Sequence, residues 1–453
     1  MTKNKIKLLL ILAFLVIVVC CTQMQQPVNN SNNTTVSNVG ASPTPVVCNA
    51  SADWVNNPQS GPNEIPGGGT NLCQFHQFSW QWFLALMNVA GDSRVFQNEQ
   101  NYPLLQASGT NSCTATGVKT SLFVRTRKDD DNQNDDFVLP EDIKQAGSDA
   151  VIYDQNGNVV YYEVRFSRDQ CSLDPTTAKM FPAGTTEIKV SYRVITAADK
   201  PNYVWINADI NGDGTTGTEE LLGMVGFHLV KSTTLHPEFV WATFEHKSNA
   251  PECQTTPDPN AKWSFTSAKC ASSLPNPGNS DCAFNMASPL TPTPTPASPT
   301  PTPTSGLPTG VPTQICRVYH DGSNPTDDKF GMNVFDIDSL NTQLTGPGGI
   351  ITNLPNDNPL AVLENYQLVG AVWVNDIKYS SDFVDNQRGS IQLANSTMET
   401  TFQQAPNFQS QPYTGTSNLQ PATNCFACHN YTPGNNIELS HTFKKITGQQ
   451  KTN

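Results

Sequence analysis

Charge is scarce in this chain. Only 14% of its 453 residues are Asp, Glu, Lys or Arg, and they sum to −13. That balance excludes nucleic acid as a partner, because phosphate backbones are bound by clustered Lys and Arg. It equally excludes binding to anionic lipid by charge. Long apolar runs are missing too. The longest, Leu8–Val19, falls short of the roughly 20 residues that a membrane span needs. There is no Gly-x-Ser-x-Gly and no Gly-rich phosphate loop carrying Lys, so neither a nucleophile elbow nor a nucleotide cradle is on offer. Glu245-His246 is the nearest approach to an acid–base pair, and it reads as an exposed strand end. No methionine follows Cys428.

What is present near the C-terminus is Cys425-Phe426-Ala427-Cys428-His429. Cys-x-x-Cys-His is the attachment signature of c-type haem. Two thiols separated by two residues add across the two vinyl groups of one porphyrin, and the adjacent His429 becomes the proximal iron ligand. The competing reading is half of a zinc site closed by distant ligands.

The other end of the chain reads as an export signal. Lys3, Lys5 and Lys7 precede the apolar run, and Cys20-Cys21 follows it. A basic segment before a short apolar one is a signal peptide. The cysteines at its end predict a lipoprotein lipidated on Cys20 or Cys21, although Val19 stands where a small residue is preferred. Ordinary secretion or an uncleaved anchor are the alternatives. The expected location is periplasmic or cell-surface, tied to the membrane by lipid. Of twelve cysteines, two belong to the signal and two to the haem motif. Eight remain: Cys48, Cys73, Cys113, Cys171, Cys253, Cys270, Cys282 and Cys316. An even number in an oxidising compartment predicts up to four disulfides, with pairing open.

Residues 1–21 are thus signal and lipobox, and 22–47 a disordered Gln/Asn/Ser/Thr tether. A single β-rich haem-binding domain is expected over 48–453. Within it, 283–315 is a Thr/Pro-rich loop insertion, extended at ~3.1 Å per residue, and 421–445 is the haem segment. The pattern between is mainly strand. Thr186–Val194 alternates, with Ile188, Val190, Tyr192 and Val194 on one face and Glu187, Lys189, Ser191 and Arg193 on the other, which reads as half-buried. Val159–Phe166, Tyr203–Asn207, Met224–Val230, Phe239–Phe244 and Tyr366–Val374 are further strands, and Asn156-Gly157 marks a turn. Leu72–Val89 repeats apolar residues at spacings of three and four, as an amphipathic helix does. The fold expected is mainly β with a few helices (α+β): a sandwich-like body bearing a C-terminal haem segment.

Several strings stand together here: Phe78–Leu86, Asp154–Gly157, Trp241–His246, Tyr366–Gly370 and Leu393–Thr400, followed by the haem motif. In that order the chain resembles exported bacterial proteins known as "cytochrome c family proteins". The resemblance runs from about Cys73 to Phe443 and skips the Thr/Pro tract, which supports a loop insertion. It implies haem and export. The family has no established reaction.

The sixth iron ligand needs a donor from elsewhere. His441, the first His or Met after the motif, is the leading distal candidate, with Leu439 and Phe443 beside it to pack on the ring edge. Met398 is the alternative, His76 a third, and an open position a fourth. A second metal is suggested by Asp209, Asn211, Asp213, Thr215 and Glu220, which fall at positions one, three, five, seven and twelve of a calcium loop with Gly214 at six. The alternative is a solvated turn. The function expected is electron transfer by a monohaem c-type cytochrome with redox proteins as partners. A haem enzyme with an open distal site and a surface binding module with accessory haem are the alternatives.

Overall fold

The period-two stretches become one large antiparallel sheet. The computed structural model describes residues 47–58, 61–106, 109–114, 123–124, 152–208, 220–276, 282–286, 310–318, 331–381, 386–399 and 425–448. In it eight strands join: β1 (Phe123–Val124), β2 (Tyr161–Phe166), β3 (Thr186–Val194), β4 (Trp205–Ala208), β5 (Glu220–Lys231), β6 (Val240–His246), β7 (Tyr366–Val374) and β8 (Gln387–Gly389). Their order is β8-β7-β6-β5-β3-β2-β1, and β4 pairs with β5 alongside. The strands β6 and β7 lie on either side of the Thr/Pro tract in sequence and are hydrogen-bonded neighbours. From Val47 onward the chain is one compact unit.

Two helices cover the first face. α1 (Leu72–Met87) starts where the Asn71 side chain accepts from the Gln74 amide, a standard N-cap. Phe75, Phe78 and Phe83, about one turn or a turn and a half apart along it, are buried in the core between helix and sheet. Phe83 lies flat on Phe244 at 3.9 Å between ring centres and meets Phe227 edge-on. Burial of one such ring contributes roughly 1.5–3 kcal/mol. α2 (Gly331–Thr345) adds Ile337, Leu340 and Leu344 to the same core. The layer opposite this face is helical, so the α+β reading holds with helices rather than a second large sheet among the described residues. Polar exceptions occur even here: buried Arg165 reaches Glu99 at 2.7 Å and Glu163 at 3.3 Å.

The second face was expected to be wet, and it is not. Glu187, Ser191, Thr243 and Glu245 are all buried. The cover comes from the loop Ser390–Glu399 and from the C-terminal segment. That segment holds α3 (Cys425–Cys428) and α4 (His441–Ile446). Glu245-His246 is therefore not an exposed strand end. Glu245 is completely covered, held by Arg317 Nε at 2.7 Å and by the Ser396 amide and hydroxyl at 2.6 Å each. His246 lies under Tyr203, with both ring nitrogens hydrogen-bonded. Alternation assigns a residue to a face but says nothing of what later chain lies on that face.

All eight remaining cysteines pair: Cys48–Cys73, Cys113–Cys171, Cys253–Cys316 and Cys270–Cys282. The last two tie both flanks of the 283–315 segment to the chain just before it. Its ends also meet each other. Phe284 bridges Gln314, and the Asn285 side chain exchanges two 3.0 Å bonds with the Cys316 backbone. No helix among the described residues is long and apolar enough to cross a membrane. Disulfides form and persist in oxidising compartments, so these four pairs are compatible with an exported chain.

Candidate metal centre

The haem motif folds as a helical turn docked on the second face. The His429 amide donates to the Cys425 carbonyl at 2.8 Å, so Cys425 and His429 lie one turn apart on one side. Phe426 between them is fully buried against the Trp241 indole. Gly434, at φ 82°, turns the chain back, a conformation that costs glycine nothing. Asn436 then accepts from the Phe181 amide and donates to the Pro237 carbonyl. Ser440 donates to Glu187 and caps α4. Leu439 and Phe443 are completely buried in the apolar cluster beneath.

His429 is the best-defined member. Its Nδ1–H donates to the Leu439 carbonyl at 2.7 Å. A carbonyl can only accept, so the proton sits on Nδ1 and Nε2 carries the lone pair. Burial, aided by neighbouring His441, pushes its pKa down to about 3. The ring rests on Trp241 at 4.5 Å and under His441 at 4.4 Å, the two imidazoles 25° from parallel. A neutral imidazole with a fixed Nδ1–H is the form that ligates a metal, and a hydrogen-bonded second nitrogen is its usual companion. Among described cysteines, Cys425 alone is outside a disulfide; the Cys428 side chain lies outside the description. This donor set fits a covalently held haem.

Beside His429 stands a charged cluster that reading the sequence missed. Glu399 accepts from Lys189 at 3.1 Å and lies 2.9 and 3.0 Å from His228 Nε2. Burial opposes its charge, but His228, Lys189 and the Asn395 amide prevail and hold the carboxyl well below its usual range. Lys189 and Glu399 both act electrostatically on His429. Lys189 and His228 are register partners on β3 and β5, a signal available only once the pairing is known. Nearby, burial pushes Glu187 up to about 7 against its bonds to Ser440 and Thr442.

The loop that delivers Glu399 is pinned by polar side chains. Asn395 donates to Thr243 at 2.9 Å and to the Phe244 carbonyl at 3.1 Å, while Thr397 meets Ser191 at 2.7 Å. Gly226 makes room for it. A Cβ there would stand 2.5–2.7 Å from oxygens of Ser191, Asn395 and Thr397. Met398 is carried away from the haem segment into a separate cluster with Ile152, Phe265 and Ile315. His76 belongs to α1 on the other face, bonded to Asn333 at 2.6 Å. Neither is brought to His429.

Asp209, Asn211, Asp213 and Thr215 lie outside the described residues, as do the Glu220 side chain and the lipidation candidates Cys20 and Cys21. The flanks of the calcium-like loop are described. They are two antiparallel strands, with Ala208 opposite Glu220, not the helix pair of an EF-hand. Among the described residues the one close trio of metal-ligand groups is Cys48, Cys73 and Asp336, and its two sulfurs are joined to each other.

Compared with known proteins, the chain matches no family model, no curated protein and no solved structure. Of the strings quoted above, Trp241–His246 and Leu393–Glu399 lie on the face that carries Cys425–His429, Phe78–Leu86 and Tyr366–Leu368 contribute to the core on the other face, and Asp154 pairs with Arg193.

Proposed function

We propose that this chain is an exported monohaem c-type cytochrome. Haem is attached through Cys425 and Cys428, with His429 as proximal ligand. Electrons pass to and from redox partner proteins, and lipid on Cys20 or Cys21 holds the chain at the membrane, in the periplasm or on the cell surface. The observation that carries the reading is the bond from His429 Nδ1–H to the Leu439 carbonyl. It turns the residue that the motif requires into a neutral, oriented donor before any metal arrives. Bound haem supplies a one-electron centre. The chain's own residues orient the ligand through Leu439 and pack it against Trp241, with Phe426 and Phe443 buried beside it.

The alternative is a peroxidase- or oxidase-like enzyme. Such chemistry gains from a strongly basic proximal ligand, which a carboxylate on Nδ1 supplies. The acceptor here is a neutral carbonyl, which favours the carrier. A structural calcium ion between β4 and β5 is a second part of the proposal.

The test is acid–acetone extraction of full-length protein made with cytochrome maturation machinery, followed by redox titration. Haem should stay with the protein and titrate as one reversible electron. Haem that washes out would sink the reading.

A further inference from the structure

Cys48–Cys73 differs from the other three disulfides in what stands beside it. Its two sulfurs and a carboxylate oxygen of Asp336 all lie within 4.8 Å of one another, and among the described residues no other disulfide has such a neighbour. Asp336, on α2, is only 5% exposed. Burial is the one cause acting on its carboxyl, with no hydrogen bond or charge to offset it, and pushes its pKa up to about 6. A buried carboxyl without a partner is costly, and this one faces a pair of sulfurs.

The bridge is not what docks the segment that carries Cys48. Ser339 and Gln343 of α2 donate to the Cys48 carbonyl at 2.9 and 2.8 Å. Gln343 also accepts from the Ala50 amide at 3.1 Å, and Gln77 of α1 donates to the Asn49 carbonyl at 2.8 Å. With these bonds in place, opening the S–S link leaves both sulfurs side by side. The two cysteines are also unequal. Cys48 is buried and Cys73, on α1, is half-buried, so an incoming thiolate meets Cys73. Cys48 is then the leaving group, and apolar burial raises the pKa of its thiol. Its departure needs a proton close at hand.

We infer that Cys48, Cys73 and Asp336 form a thiol–disulfide exchange site whose substrate is a dithiol. One thiolate of the dithiol attacks Sγ of Cys73. The S–S bond breaks, a mixed disulfide forms on Cys73, and Sγ of Cys48 takes the proton of Asp336, directly or through one water. The second thiolate then displaces Cys73, and the dithiol leaves as a disulfide. Its two protons, released to solvent, restore Asp336 and protonate Cys73. Two electrons have passed to the protein. Neither haem nor any other group takes part.

No other charge confuses the titration. His76, one turn after Cys73, is lowered by burial to about 4 and is neutral above pH 5. Asp53 and Asp338, near Cys48 and Asp336 in sequence, are exposed, and neither acts on the Asp336 carboxyl.

The test reduces full-length protein with excess dithiothreitol, alkylates at timed points and follows each bridge by peptide mass mapping. The rate constant of Cys48–Cys73 is divided by that of Cys113–Cys171, both of whose cysteines are half-buried. The ratio cancels the ionisation of the reagent. Between pH 5 and pH 7.5 it should fall about tenfold in the wild type as Asp336 loses its proton, and stay flat in Asp336→Asn. A ratio already flat in the wild type would overturn the inference. So would a fall that persists in Asp336→Asn, or a Cys48–Cys73 bridge that stays closed while Cys113–Cys171 opens.

Discussion

The two faces of the sheet are built on opposite principles. On the helix face, aromatic rings from α1 stack on rings from β5 and β6, and shape decides the fit. On the other face, the strands present Glu187, Lys189, Ser191, His228, Thr243 and Glu245, and a loop and a tail arrive with partners for them. Buried polar groups are costly unless satisfied, and specific when they are. The contrast separates two tasks. The aromatic face holds the fold, while the polar face registers the segment that carries Cys425 and His429.

Removing the aromatic stack should cost most. Phe83→Ala should lose about 3–5 kcal/mol in denaturant unfolding and leave the haem spectrum of surviving protein unaltered. A loss below 1 kcal/mol would mean that the aromatic face is not the main scaffold.

Glu245→Ala should cost about 3–5 kcal/mol as well, for another reason: it removes the nearer of the two carboxylates that hold the buried Arg317 guanidinium and the acceptor of the Ser396 amide and hydroxyl. Unlike Phe83→Ala it should also disturb the haem spectrum, because Ser396 and Glu399 belong to the loop it anchors. A spectrum unaffected by Glu245→Ala would uncouple the loop from the site.

The faces should differ in sign with pH. Burial lowers His76 and His246, each to about 4. Unfolding then takes up protons between about pH 4 and 6.5, so their share of stability rises with pH across that window. Glu187 does the reverse. Burial raises it to about 7, so its share is complete below its ordinary value and is lost as pH climbs through 7. His246→Phe should flatten the first slope by up to about 3 kcal/mol, and Glu187→Gln should abolish the second. Unfolding free energies across pH 4–8 decide, and slopes of the same sign in both variants would contradict the assignment.

Smaller effects follow. Gly226→Ala should cost about 1–3 kcal/mol by pushing Asn395 and Thr397 off the sheet. Chelation of calcium should lower the melting temperature by a few degrees, corresponding to about 1 kcal/mol. Asp209→Ala combined with Glu220→Ala should remove that sensitivity. A chelator-insensitive wild type returns the loop to a plain turn.

Much of the frame was legible in the sequence. The alternation of Thr186–Val194 and the apolar run of Tyr366–Val374 delimit β3 and β7 as observed, because period two and β-branched residues are local properties. α1 ends two residues early, at Met87. α2 went unread although Ile337, Leu340 and Leu344 have helical spacing, since Asn, Asp and Thr crowd the rest of it. The polar face was misread as solvated. Its partners are remote: Ser440 is 253 residues from Glu187, and Ser396 is 151 from Glu245. The motif singles out His429, but only the fold supplies Leu439 as its acceptor, stacks His441 on its ring and carries Met398 into a separate cluster.

The central claim is that Cys425 and Cys428 hold haem while the other eight cysteines of the mature body are paired. Non-reducing peptide mapping with mass spectrometry on holoprotein tests it most directly. The account predicts four cross-linked peptides, Cys48–Cys73, Cys113–Cys171, Cys253–Cys316 and Cys270–Cys282, and one haem-bearing peptide containing Cys425 through His429. A disulfide between Cys425 and Cys428, or either of them cross-linked to another cysteine, would contradict it.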